Sequence, residues 1–108
     1  MSFDPMAAAV DWLDAYRAGD IESILGMYAD DAMIHCACGG MKTIIDRDGL
    51  RAYWVDRLRQ YPASALDNLQ PSQDGTMISY ITSTGVVRAI LAFNAAGNIK
   101  TLSCGPSN

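Results

Sequence analysis

From residue 75 onward the chain contains no acidic residue and only two bases, Arg88 and Lys100. Residues 1–74 hold all 12 acids and the other six bases, so the two parts carry −6 and +2 and sum to −4. An antiparallel sheet with one solvated face alternates apolar and polar residues along each strand. The stretch 86–93 does not alternate. Val86, Ile90 and Ala92 fall on one side of it, and Val87, Ala89, Leu91 and Phe93 on the other. In the stretch before it, Ile78 and Tyr80 oppose Met77 and Ile81. Strands of this kind need cover on both faces, so the C-terminal third can only be a sheet packed under helices on one side.

The helices come first. Met6, Ala9, Val10, Leu13 and Tyr16 recur at spacings of three and four, with Trp12 widening the stripe. Asp4 before Pro5 predicts an N-cap with proline at the first helical position, and Gly19 predicts the stop. Asp20 then caps a second, short helix whose buried stripe is Ile21, Ile24, Leu25 and Tyr28, ended by Asp30 and Asp31. Short strands at 33–38 and 43–46 pair across Gly39-Gly40. Asp48 is the expected N-cap of a third helix that buries Leu50, Trp54, Leu58 and Tyr61 and turns Arg51, Asp56, Arg57 and Arg59 mostly to solvent. Pro62 stops it. A meander follows: a weak strand at 65–70 interrupted by Pro71, then strands at 76–82, 86–93 and 98–104, with a frayed tail. Helices followed by a run of strands mean α+β rather than α/β, and 108 residues mean one domain spanning 1–108.

Composition excludes several functions. Half the residues are hydrophobic, which rules out disorder for most of the chain. No basic run exists, so nucleic acid is not an expected partner. No apolar run approaches the ~20 residues of a membrane span, and the start carries no secretory signal, so neither membrane nor export is expected. Cys36, Cys38 and Cys104 are an odd count, which fits free thiols in a reducing cytoplasm better than a disulfide framework.

Ala18-Gly19-Asp20-Ile21, followed by Met27-Tyr28-Ala29-Asp30-Asp31-Ala32, resembles a signature of the nuclear transport factor 2-like superfamily. The segment from Ile44 to Trp54 is similar to the strand-to-third-helix segment of its SnoaL-like branch. Phe93 to Ile99 resembles the hairpin between its last two strands. The resemblance implies a cone-shaped fold, cystatin-like in class: a curved antiparallel sheet with three N-terminal helices packed on its concave face. It also implies a pocket inside the cone. It does not imply one reaction, because this fold hosts isomerases, cyclases, dehydratases and inert binding domains.

The family's known chemistries do not transfer. The tyrosine, aspartate base and protonated aspartate of ketosteroid isomerases fall on Trp12, Cys36 and Ala89. Without a carboxylate there is no proton shuttle and no oxyanion donor of that type. Of the scytalone dehydratase set, Tyr16 matches, but the adjacent aspartate is Arg17 and the strand tyrosine is Cys36. Cyclases and epoxide hydrolases need acids on strands that here have none.

His35, the only histidine, is the remaining candidate catalytic group. Its neighbour Cys36 points to the opposite face of a strand, so the two do not form a thiol–imidazole pair. A metal site built from His35, Cys36 and Cys38 has too few ligands at too close a spacing, and no metal or cofactor is expected. The cysteines read more simply as small apolar wall residues. The implied pocket is walled by Trp12, Tyr16, Cys36, Trp54, Leu91, Phe93 and Leu102, with Tyr53 beside them, although Trp54 fits plain core packing better and Trp12 and Tyr16 fit it equally well.

The resulting expectation is a SnoaL-like domain holding a small, largely apolar molecule, with room for a lyase- or isomerase-type activity but no complete catalytic set. The other reading is a non-catalytic homodimeric binding or scaffold domain. The resemblance puts Val87, Ala89, Leu91 and Phe93 on the concave wall, so Arg88 faces outward. An apolar convex face larger than monomers tolerate predicts a homodimer through that face, with Arg88 at the contact.

Overall fold

The computed structural model describes residues 4–36, 42–73, 75–83 and 85–106, with the side chains of Cys36, Lys42 and Pro106 outside that set. The expected turn at Gly39-Gly40, together with Cys38 and Asp74, lies outside the described residues. Helix α1 runs Pro5–Ala18. The Asp4 carboxylate accepts from the backbone N–H of Met6 and Ala7, and Gly19 ends the helix at φ 70°, where its N–H bonds to the Tyr16 carbonyl. Helix α2, Ile21–Gly26, is capped by Asp20 accepting from Ser23 N–H.

The second helix is shorter than its spacing predicts. It stops at Gly26, and strand β1, Tyr28–Cys36, begins at the residue expected to close the helical stripe. Tyr28 instead pairs with Ile99 in the ladder, and its hydroxyl accepts from Trp12 Nε1–H at 3.2 Å. Asp30 and Asp31 therefore lie inside a strand and end no helix. Strand β2 is Lys42–Ile44 and helix α3 is Arg47–Gln60. Asp46, not Asp48, is the α3 N-cap, accepting from Gly49 N–H. Asp48 sits in the first turn, where its charge suits the helix dipole.

The remaining strands are β3 (Ala63–Ser72), β4 (Gly75–Thr82), β5 (Gly85–Phe93) and β6 (Ile99–Pro106). Strand β3 runs through Pro71, which was expected to interrupt it. It lies at the sheet edge, where a missing N–H costs little. Strand β6 continues through residues expected to fray, because Gly105 and Pro106 pair with Arg88 and Val87.

The six strands form one sheet in the order β2-β1-β6-β5-β4-β3. It is not wholly antiparallel: β1 and β6 pair in parallel. Gly75 has no room for a side chain, since a Cβ there would stand 2.0 Å from the Leu91 carbonyl oxygen.

Alternation sorts the faces as expected. Val87, Ala89, Leu91 and Phe93 turn inward and are buried. Arg88 is exposed on the outer face, where Ile81 and Ile90 keep 39% and 44% of their surface. The core gathers inside the curve, beneath α1 and α3. No helix among the described residues is long and apolar enough to cross a membrane.

Candidate functional site

Four aromatic rings occupy the inside of the sheet. Trp12 and Tyr16 come from α1, Trp54 from α3 and Tyr80 from β4. They meet edge to face with centroids 4.9 to 5.8 Å apart. The sequence supplies Trp12 and Tyr16 at a spacing of four, so both leave α1 on the same side. Trp12, Tyr16, Trp54, Leu91 and Leu102 are each no more than 1% exposed, so they pack against one another and against the sheet. Phe93 stands apart from this cluster. It is 9% exposed and reaches a cleft at the far end of β5. Cys36 sits opposite Cys104 in the β1–β6 register, and its side chain is outside the described residues.

His35 does not join these residues. Its register partners are Thr43 on β2 and Ser103 on β6. Ile34 and Leu102, one residue earlier on each strand, are fully buried on the inner side. His35 therefore lies on the outer face, half-buried, with Nδ1 3.3 Å from Thr43 Oγ1.

The structure brings in a residue that periodicity assigned to solvent. Arg57, on α3, is 3% exposed and points inside the curve. Its Nη2–H donates to the Tyr80 hydroxyl at 2.8 Å. Its guanidinium carbon lies 5.9 Å from the ring centres of Tyr16 and Tyr53 and 5.3 Å from that of Tyr61. The Tyr16 hydroxyl donates to the Tyr61 carbonyl. The Tyr53 hydroxyl meets Cys104 Sγ at 3.4 Å. Leu50, Tyr53, Trp54 and Arg57 recur at three, one and three, so Arg57 lies in the buried stripe of α3. That spacing was the available signal, and the charge concealed it.

The electrostatics of this cluster follow from burial. Desolvation raises Tyr16 above the ordinary tyrosine pKa against the pull of the Arg57 cation, and it raises Tyr80 further still. Both hydroxyls keep their protons at neutral pH, that of Tyr16 donating to the Tyr61 carbonyl and that of Tyr80 accepting from Arg57. Burial opposes the charge on Arg57, and the hydrogen bond to the Tyr80 hydroxyl and the tyrosine rings around it support the guanidinium cation. A cation and several hydroxyls thus share one end of an otherwise apolar interior. Such a set can hydrogen-bond an oxygen on a ligand whose remainder is apolar.

A family model described as SnoaL-like domain matches residues 9–99. The chain belongs to the SnoaL-like domain family. This SnoaL-like domain resembles a SnoaL-like protein of unknown function from Burkholderia thailandensis E264, with TM-score 0.80 at 19% identity over 93% of this chain and 92% of that one. An NTF-2 like protein of unknown function from Burkholderia xenovorans LB400 superposes with TM-score 0.75 at 19% identity, over 96% and 83% of the two chains. An uncharacterized cystatin fold protein from Novosphingobium aromaticivorans gives 0.74 at 15% identity, over 96% and 99%. At these identities the likeness establishes the fold alone. None of the curated proteins matches the sequence.

Proposed function

We propose that this SnoaL-like domain binds a small, largely apolar molecule inside the curve of the sheet, with an oxygen of the ligand turned toward Arg57. The observation that carries this reading is the buried guanidinium among tyrosine hydroxyls at one end of an aromatic interior. Trp12, Tyr16, Trp54, Leu91 and Leu102 are closely packed and would have to part to supply the apolar contact, while Tyr53 and Cys104 flank the polar end. An isomerase or lyase step at this place would need a base. His35, on the outer face, is not positioned to be that base here. Cys104 is a buried cysteine in an odd set of three, which suits a reducing compartment, and we place the domain in the cytoplasm.

Both tryptophans lie in the interior, so their fluorescence reports on it. A panel of small aromatic ketones and carboxylates should contain compounds that change this emission saturably. Arg57→Met, checked for an intact fold by near-UV circular dichroism, should lose that response. Equal binding by folded Arg57→Met would overturn the reading.

A second reading rests on a separate observation. Ile81 and Ile90 are exposed on the outer face beside Arg88. We infer that a second copy of the chain covers this face and that the domain works as a homodimer. The two readings are compatible, since they use opposite faces of the sheet.

A further inference from the structure

A cleft of about 240 Å3 opens at the end of the molecule where the β5–β6 hairpin meets α1 and the α2–β1 junction. It is distinct from the Arg57 cluster. Phe93 and Ile99 form its floor, at 9% and 1% exposure, and Ala8 and Met27 its sides. Asp11 and Asn98 provide its polar edge.

Two irregularities of the sheet converge here. The β5–β6 register shifts between Ala92 and Phe93, and the β1–β6 register shifts between Tyr28 and Met33. Ile99 is the ladder partner of both Phe93 and Tyr28, so both shifts border the floor of the cleft. Bulges re-aim side chains and recur beside binding sites. The hairpin itself is fixed: Asn94 Oδ1 accepts from the N–H of Ala96 and of Asn98, each at 3.0 Å. The wall it forms is therefore preorganised.

The lining selects by charge. Among the described residues that line the cleft, Asp11 carries the only formal charge. It stands on the exposed side of α1, so the charge that the lining itself presents is negative. The floor presents an aromatic ring and a thioether lies beside it, both of which attract a cation with an apolar body. At ~30 Å3 per water the volume holds roughly eight waters, the size of a small fragment.

We propose that this cleft is a binding site for a small ammonium compound with an apolar body, its cation at Asp11 and its body on Phe93 and Ile99. The test is an amide-resonance titration of the whole chain with phenethylamine, phenethyl alcohol and hydrocinnamate, which share one ring and differ in charge. Phenethylamine should shift the amides of Met27, Asn98 and Ile99 saturably, with Kd on the order of 1 mM as small fragments show. The alcohol should bind about fivefold more weakly, hydrocinnamate more weakly still, and Asp11→Asn should weaken the amine about fivefold. Asp11 is exposed on a helix surface, so this variant leaves the fold intact.

Three outcomes would overturn the proposal: no saturable shift at those amides up to about 10 mM amine, equal binding of hydrocinnamate, or unchanged affinity in Asp11→Asn. Shifts confined to Tyr53, Arg57 and Cys104 would also overturn it, while leaving the reading of the interior standing.

Discussion

Arg57 Nη2–H donates to the Tyr80 hydroxyl at 2.8 Å, joining α3 to β4 across the inside of the sheet. The bond links two elements that make no other polar contact described above, and it does so in a low-dielectric setting. Removing either partner costs the other a buried hydrogen bond. In a double-mutant cycle of Arg57→Met and Tyr80→Phe, each single change should destabilise the fold, with a coupling of about 1–3 kcal/mol in urea denaturation. A coupling near zero would show that the bond adds nothing to stability.

Gly75 and Gly26 make a matched pair. An added methyl at Gly75 collides with the Leu91 carbonyl, whereas at Gly26 it meets nothing within 4 Å. Gly75→Ala must push β4 from β5 and should cost about 1–3 kcal/mol or more. Gly26→Ala, at the end of a helix, should be neutral or stabilise by about 0.4–1 kcal/mol. Thermal unfolding of the two variants separates these outcomes directly.

Alkali should unfold the protein through its interior tyrosines. Tyr16, Tyr28 and Tyr80 are all raised above their ordinary value of 10.0, chiefly by burial. Below pH 10 these groups are protonated folded or unfolded, and their contribution to stability is fully present. Above it only the unfolded chain releases the protons readily. Stability should then fall by about 1.4 kcal/mol per pH unit for each such tyrosine until the folded pKa is reached. Tyrosinate absorbance should appear in two stages, the second coincident with loss of structure. A single stage near pH 10 with the fold intact would contradict this.

Association through the outer face predicts a dimer at micromolar concentration in sedimentation. Arg88→Glu and Ile90→Asp should each shift it toward monomer, because one alters the charge at the centre of the face and the other its apolar surface. A clean monomer of 11.7 kDa for the unaltered chain would show the face to be uncovered.

The local signals were legible wherever one residue type decides the backbone. Asp4, Pro5, Gly19 and Asp20 mark both ends of α1 and the start of α2 at the expected places. On β5 a period of two separated Val87, Ala89, Leu91 and Phe93 from Val86, Arg88, Ile90 and Ala92, and it was the family resemblance that put the first set inward. Tyr28 misled because Ile21, Ile24, Leu25 and Tyr28 satisfy helical spacing, while its actual partner, Ile99, is 71 residues away. Arg57 was hidden for a similar reason. Nothing near it in sequence shows that the Tyr80 hydroxyl will accept its hydrogen bond, and a charge on a helix normally faces water. For His35, alternation showed that it opposes Cys36. Which face His35 takes was legible only from the register with β6, which pairs buried Ile34 with buried Leu102 and so turns His35 outward.

The parallel pairing of β1 with β6 also governs the order of assembly. Hairpins β3–β4, β4–β5 and β5–β6 close between near neighbours, but β1 must wait for a strand synthesised some seventy residues later. Until β6 emerges, the β1–β2 hairpin has no edge on which to dock. Ring closure over so long a loop is entropically slow, so the late step in folding should be the arrival of β1 at β6. Once there, β6 is the seam of the sheet, with two strands on one side and three on the other, and its loss would separate the β1–β2 hairpin from the rest of the meander.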